Sequence, residues 1–140
     1  MARQQQIEVG LLGATGAVGQ EFIVQLATHP WFKLAWVAAS YRSEGRRYSE
    51  ATAWRLPVPC PDEVSEMVVD SVTPARAPRL VFSGLDSTVA GEVEEAFAQA
   101  GHIVVSNARN HRMEPDVPLL VPEINADHLA LLSTQASARD

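Results

Sequence analysis

Two patterns of apolar residues organise the chain: short continuous runs, and residues recurring every fourth position. From Ile7 to Leu12 the sequence is mostly apolar (IEVGLL) and runs into GATGAVG, after which Val18, Phe22 and Leu26 recur at fourfold spacing with Gln20, Glu21 and Gln25 between them. This predicts a buried strand, a tight glycine turn and an amphipathic helix. His29-Pro30 ends that helix, because the residue before proline avoids the helical region and proline lacks a backbone donor. Further strands are predicted over Lys33 to Ala39, Leu80 to Ser83 and His102 to Ser106. Between the last two, Ser87 is the expected cap of a helix from Thr88 to Ala100, with Val89, Val93, Phe97 and Ala100 on one face and Gly101 as terminator.

The stretch from Ser40 to Pro61 is mixed and rich in proline, and reads as an excursion with one short helix around Glu50 to Trp54. A weak strand is predicted over Met67 to Val72. Beyond Ser106 the chain is polar (NARNHRMEPD), then extended and proline-limited (VPLLVPEIN), and Asp127 to Leu132 reads as a terminal helical turn or two. Buried strands alternating with helices imply a parallel sheet with right-handed crossovers. The fold class is therefore α/β: a single Rossmann-like domain with a doubly wound, mostly parallel sheet.

At 140 residues, one such domain accounts for the whole chain. Hydrophobic residues make up 46% and charged residues 20%, a globular composition, and no apolar run is long enough to span a bilayer. A soluble cytosolic protein without membrane association is expected. With 11 Lys plus Arg against 17 Asp plus Glu, the net charge of −6 argues against nucleic acid as a partner. Cys60 is the sole cysteine, which excludes an internal disulfide and any multi-cysteine metal site, and His29, His102 and His128 have no metal-ligand spacing. No metal is expected. Trp31, Trp36 and Trp54 read as core or groove-lining residues.

Gly13, Gly16 and Gly19 form GxxGxxG directly after a strand and at the start of a helix, where backbone donors at the helix N-terminus suit phosphate oxygens. About 20 residues beyond such a turn, NAD binders usually carry an acidic residue for the ribose hydroxyls. Here the sequence is Ser40, Tyr41, Arg42 and Ser43. Hydroxyls and a guanidinium accept a 2′-phosphate, so NADP is read in preference to NAD; the competing reading makes Arg42, Arg46 and Arg47 a solvated basic loop. Ser83, Gly84, Leu85 and Asp86 follow a strand at the sheet edge where ligands of such folds lie, and Asp86 suits the helix N-terminus.

GATGAVG, AASYRSEGRRY, VFSGLDSTVAGEVEEAF, VVSNARNHRM and VPLLVPEIN occur in that order. With these motifs the chain resembles the N-terminal half of aspartate-semialdehyde dehydrogenase, most of all its fungal and archaeal branch, over about residues 7–132. The resemblance implies an NADP-dependent reaction between aspartyl phosphate and aspartate semialdehyde, in amino-acid biosynthesis. It also implies Gly13, Thr15, Gly16, Ala17 and Val18 around the diphosphate, with Gly19 completing the turn, and Ser40, Arg42 and Ser43 near the 2′-phosphate. Ser83, Gly84 and Leu85 fall along the nicotinamide half, with Asn107 close by and Arg112 on the acyl-phosphate group. The family's catalytic cysteine follows the PEIN segment in an Asn-Pro-Asn-Cys stretch that the sequence, ending LLSTQASARD, does not reach. Its catalytic histidine and dimer-forming half lie further on. No catalytic residue of the family is therefore assigned, residues 1–140 are expected to be the NADP-binding domain alone, and Cys60, in PVPCPDEV, reads as a half-buried structural thiol.

Three readings follow. The first is an NADP-binding domain of this family that does not complete the reaction by itself. The second is a non-catalytic module for a nucleotide or protein partner. The third is a repurposed small enzyme, an isomerase or cyclase, acting on an anionic small molecule with His111 and Glu123 as acid and base. Apolar surface left without the family's second half implies self-association or a protein partner.

Overall fold

The computed structural model describes residues 5–135. Strands β1 (Ile7–Leu12), β2 (Phe32–Ala38), β3 (Leu80–Ser83) and β4 (Ile103–Ser106) form one wholly parallel sheet in the order β2-β1-β3-β4. Helix α1 (Ala17–Ala27) joins β1 to β2. The β2–β3 connection carries the short helices α2 (Tyr48–Ala51) and α3 (Asp62–Ser65), and α4 (Ser87–Gln99) joins β3 to β4. After β4 come α5 (Pro122–Asn125) and a 3-10 segment, Ala126–Ser133.

Alternation along β1 divides the core. Val9 and Leu11 pack with Ile23 and Leu26 of α1, whereas Leu12 joins Val81 and Phe97, the last from α4. Successive strand residues point to opposite faces, so one strand serves both helices. β2 does the same by a different device. Its pairing with β1 passes from Val9–Leu34 to Gly10–Trp36, skipping Ala35. One extra residue reverses the alternation, which sends Leu34 to the α1 side and Trp36 to the α4 side. Each fully buried side chain of this kind contributes about 1.5–3 kcal/mol.

The connection from β1 runs to β2 on one side and the chain then crosses to β3 on the other, so the order reverses between β1 and β3. Folds of this type bind ligands at that point, outside the carboxyl ends of the strands. The glycine turn follows β1, and Ser83-Gly84 closes β3.

Several predicted elements need correction. The strand predicted over Met67 to Val72 is two isolated bridges, Ala38–Asp70 and Arg47–Val68, of opposite sense, so no continuous ladder forms. The short helix expected around Glu50 to Trp54 lies earlier, at Tyr48–Ala51. The cap of α4 is Asp86, whose carboxylate accepts from the Thr88 amide, in place of Ser87. The buried positions of α4 are Ala90, Glu94 and Phe97, while Val89 is half-exposed. The PEIN segment, expected to be extended, is helical with Pro122 in its first turn, where a missing amide costs nothing. Trp31 is 59% exposed and belongs to no core.

Candidate nucleotide-binding site

The glycine turn is built by contact between backbones. Gly13 has φ +74°, and a Cβ there would stand 2.8 Å from the Gly84 carbonyl oxygen. At Gly19 a Cβ would stand 2.2 Å from the Gly13 carbonyl oxygen, and at Gly84 it would meet the Gly19 nitrogen at 3.2 Å. Three glycines thus let the β1–α1 turn and the β3–α4 loop lie against each other. Gly16 differs: it is exposed, and a Cβ would find only the Gly13 carbonyl oxygen, at 3.5 Å. It is the N-cap of α1, with no side-chain cap and no acid in the first turn. The first amides of a helix have no partner within the helix, so this end carries donors and the positive end of the dipole toward the crevice.

The excursion buttresses this turn. Tyr48 of α2 is 1% exposed and its hydroxyl donates to the Ala14 carbonyl at 2.7 Å. Burial pushes the phenol up to about 12, so it remains a donor across the physiological range. Buried Gln20 donates to the carbonyls of Thr15 and Ala53 and accepts from the Arg55 amide. The turn is thereby fixed from beneath by residues far away in sequence. Tyr48→Phe is expected to cost about 1–2 kcal/mol, because the Ala14 carbonyl loses its partner in a buried place. Urea unfolding checks this; an unchanged midpoint would mean that the hydroxyl contributes nothing.

Beyond β2, Ser40 and Arg42 are exposed and Ser43 is buried, its amide donating to the Ser40 carbonyl. The three arginines of this region separate. Arg47 pairs with Glu66 at 3.0 Å and Arg46 donates to the Glu50 carbonyl. Among the described residues, Arg42 has no acidic partner and lies against Tyr41, its guanidinium 5.8 Å from the ring centroid. The carboxylate paired nearest the end of β2, Asp70, is already engaged. Burial works against its ionisation, but bonds from the Trp36 indole, the Ser71 amide and Arg76 outweigh this and lower its pKa.

On the β3–β4 side, Ser83 is fully buried and donates to Glu94 of α4, and the Gly84 amide donates to the Leu12 carbonyl. Leu85 is half-buried. The Asn107 amide donates to the Ser83 carbonyl, and Arg112 donates through Nη2 to the Asn107 carbonyl at 2.9 Å. Asn107 and Arg112 are therefore neighbours, next to Ser83-Gly84. His111 pairs with Glu114 at 2.6 Å and faces Glu94 at 3.7 Å. Among the described residues no hydrogen bond or ion pair joins His111 to Glu123, which is exposed on α5. Cys60 is half-buried, and burial, then the Asp62 charge, raises its pKa, a setting that suppresses thiolate reactivity.

Sequence reasoning missed Tyr48, Gln20 and Glu94. Only Glu94 had a readable signal: β3 and β4 both end in serine (VFS, VVS), and the helix between them carries acids.

A glycine turn and a glycine-bearing loop meet at the switch point of a parallel sheet, which defines a dinucleotide-binding domain of the Rossmann class. Residues 8–132 match the family model of the semialdehyde dehydrogenase NAD-binding domain. The chain belongs to that family. It is 48% identical over 130 residues to the aspartate-semialdehyde dehydrogenase of Schizosaccharomyces pombe, covering 91% of this chain and 36% of that protein. It is 47% identical over 132 residues to that of Archaeoglobus fulgidus, covering 94% and 38%. The crystal structure of Candida albicans aspartate-semialdehyde dehydrogenase with NADP superposes with a TM-score of 0.89 at 42% identity, over 93% of this chain and 37% of that one. The chain thus spans little more than a third of the length of the relatives it matches. No helix among the described residues is long and apolar enough to cross a membrane.

Proposed function

We propose that this domain binds NADP(H) in the crevice at the carboxyl edge of its sheet, and that the whole protein is an aspartate-semialdehyde dehydrogenase interconverting aspartyl phosphate and aspartate semialdehyde. The observation that carries the reading is the uncapped, acid-free start of α1 at the switch point, with Arg42 unpaired by any described acid at the end of β2. Diphosphate oxygens suit the turn from Gly13 to Gly19, in which the Gly13 and Gly16 amides donate to the carbonyls of Ala38 and Gly13 and the amides around Thr15, Ala17 and Val18 are the ones left for the ligand. The 2′-phosphate suits Ser40 and Arg42, with Ser43 shaping their loop through its amide. Ser83, Gly84, Leu85 and Asn107 would flank the nicotinamide, whose chemistry is hydride transfer. Arg112 presents a planar fork to the phosphate of the acyl phosphate, and its bond to the Asn107 carbonyl aims it at the same edge.

The uncovered apolar surface supports a partner. Ile103 and Val105 on the edge strand β4 are about half-exposed, and Phe22, Leu26, Phe32 and Phe82 line an open hollow of about 210 Å³ on the α1 face. Such surface suits packing against the rest of a longer chain or another subunit. The nucleotide reading is tested by mapping amide chemical shifts during titration with NADP+. Shifts are expected at 13–19, 40–43, 83–85 and 107; shifts confined to other regions would overturn the placement.

A further inference from the structure

Glu94 is a charged residue in a core position. It projects from α4 toward the sheet between Ala90 and Phe97 and is 3% exposed. Removing a carboxylate from water is expensive unless polar partners replace the solvent. Its partners are specific. Oε1 accepts from the Ser83 hydroxyl at 2.6 Å and from the Ser106 hydroxyl, and these two serines face each other in register as the last residues of β3 and β4. Ser83 is followed by Gly84, and Ser106 by Asn107, so one carboxylate ties together the two strand ends that lead into the site.

The second oxygen faces the segment carrying Arg112. Oε2 lies 3.7 Å from His111 Nε2, a buried nitrogen with no hydrogen-bond partner. The other ring nitrogen bonds Glu114. The charged groups facing His111 are thus Glu94 from α4 and Glu114 from its own segment. Burial disfavours the imidazolium, but the bond and charge of Glu114, then Glu94 and the Gly91 backbone, outweigh it and raise the His111 pKa. The same face of α4 holds this segment at two further points. Asn110 donates to the Ser87 carbonyl, and a Cβ at Gly91 would stand 3.1 Å from the Asn110 side-chain nitrogen. Positions 87, 91 and 94 lie one above the other on the helix.

We propose that Glu94 is a positioning residue that joins the nucleotide edge to the anion site: through Ser83 and Ser106 it fixes the ends of β3 and β4, and through His111 it fixes the segment bearing Asn107 and Arg112. The proposal rests on the NADP(H) reading and adds that nucleotide and anion binding are interdependent. Ordering Ser83-Gly84 around a nucleotide tightens the carboxylate against His111, and an anion on Arg112 orders the same network from the other side. Coupling of this kind is reciprocal.

The test uses the 140-residue chain, with sulfate as the anion because its charge is constant between pH 5 and 9. Sulfate binding is read at the Arg112 side-chain NMR resonance with and without saturating NADP+, and the His111 ring is titrated in parallel. In the unaltered chain NADP+ is expected to tighten sulfate binding about fivefold. Glu94→Gln keeps an oxygen for the serines but removes the charge facing His111. It should abolish the coupling and move the His111 titration downward, toward the ordinary imidazole value. Since the core substitution can impair folding, His111→Gln, at a half-buried residue outside the core, provides the second arm and should also abolish the coupling. Coupling that persists in either folded variant, or a His111 titration unmoved by Glu94→Gln, overturns the proposal. If the unaltered chain does not bind NADP+, the nucleotide reading fails by itself, and the His111 titration still decides whether Glu94 acts on His111.

Discussion

Gly19→Ala is expected to destabilise the domain by about 3 kcal/mol and to abolish NADP+ binding at concentrations that saturate the unaltered chain. Helix propensity alone favours alanine by about 1 kcal/mol, since Gly19 lies inside α1. The contact decides the sign. The new methyl would stand 2.2 Å from the Gly13 carbonyl oxygen and 2.8 Å from two backbone atoms of Ala14, and neither set can swing aside as a side-chain end would. Relief requires α1 to move away from the turn, which separates the Gly16 end of the helix from the Gly84 loop. Gly16→Ala is the matched control: its φ is −77° and its nearest neighbour is 3.5 Å away, so the only loss expected is that of alanine at an N-cap, no more than about 1 kcal/mol. Urea unfolding of both variants checks the pair. Equal loss in both would mean that the turn is not held by backbone contact at Gly19.

Arg42→Ala is expected to weaken NADP+ by roughly 10- to 100-fold and leave NAD+ nearly unchanged. Loss of a charge-assisted hydrogen bond costs about 1.5–3 kcal/mol, and each 1.4 kcal/mol is tenfold in affinity. Arg46 and Arg47 are engaged by the Glu50 carbonyl and by Glu66, so neither is placed to substitute. Competition binding with both nucleotides measures the effect; a parallel drop for NAD+ would move Arg42 from the 2′-phosphate to a contact common to both.

The parts legible in the sequence are those governed by local rules. A strand, three glycines at fixed spacing and a fourfold apolar helix specify β1, the turn and α1, because the φ +74° at Gly13 and the packing at Gly19 are requirements of that motif. Strand alternation with helices likewise fixed the sheet as parallel. What escaped depends on partners distant in sequence. Apolar spacing puts Val89, Val93, Phe97 and Ala100 on one face of α4, yet Glu94 is buried because Ser83 and Ser106 meet it from two different strands. Tyr48 sits in a proline-rich excursion with no periodicity, and its role appears only when Ala14, 34 residues away, is brought against it. The sequence offers Glu123 as a partner for His111, whereas the fold gives it Glu114, three residues on, and Glu94 from the neighbouring helix.

Calorimetric titration of the chain with NADP+ and with NAD+, under the same conditions, tests the central claim most directly. The uncapped start of α1 and the guanidinium of Arg42, which has no acidic partner among the described residues, predict saturable one-to-one binding of NADP+, at least tenfold tighter than NAD+. Equal affinities, tighter binding of NAD+, or no heat with either nucleotide would contradict it.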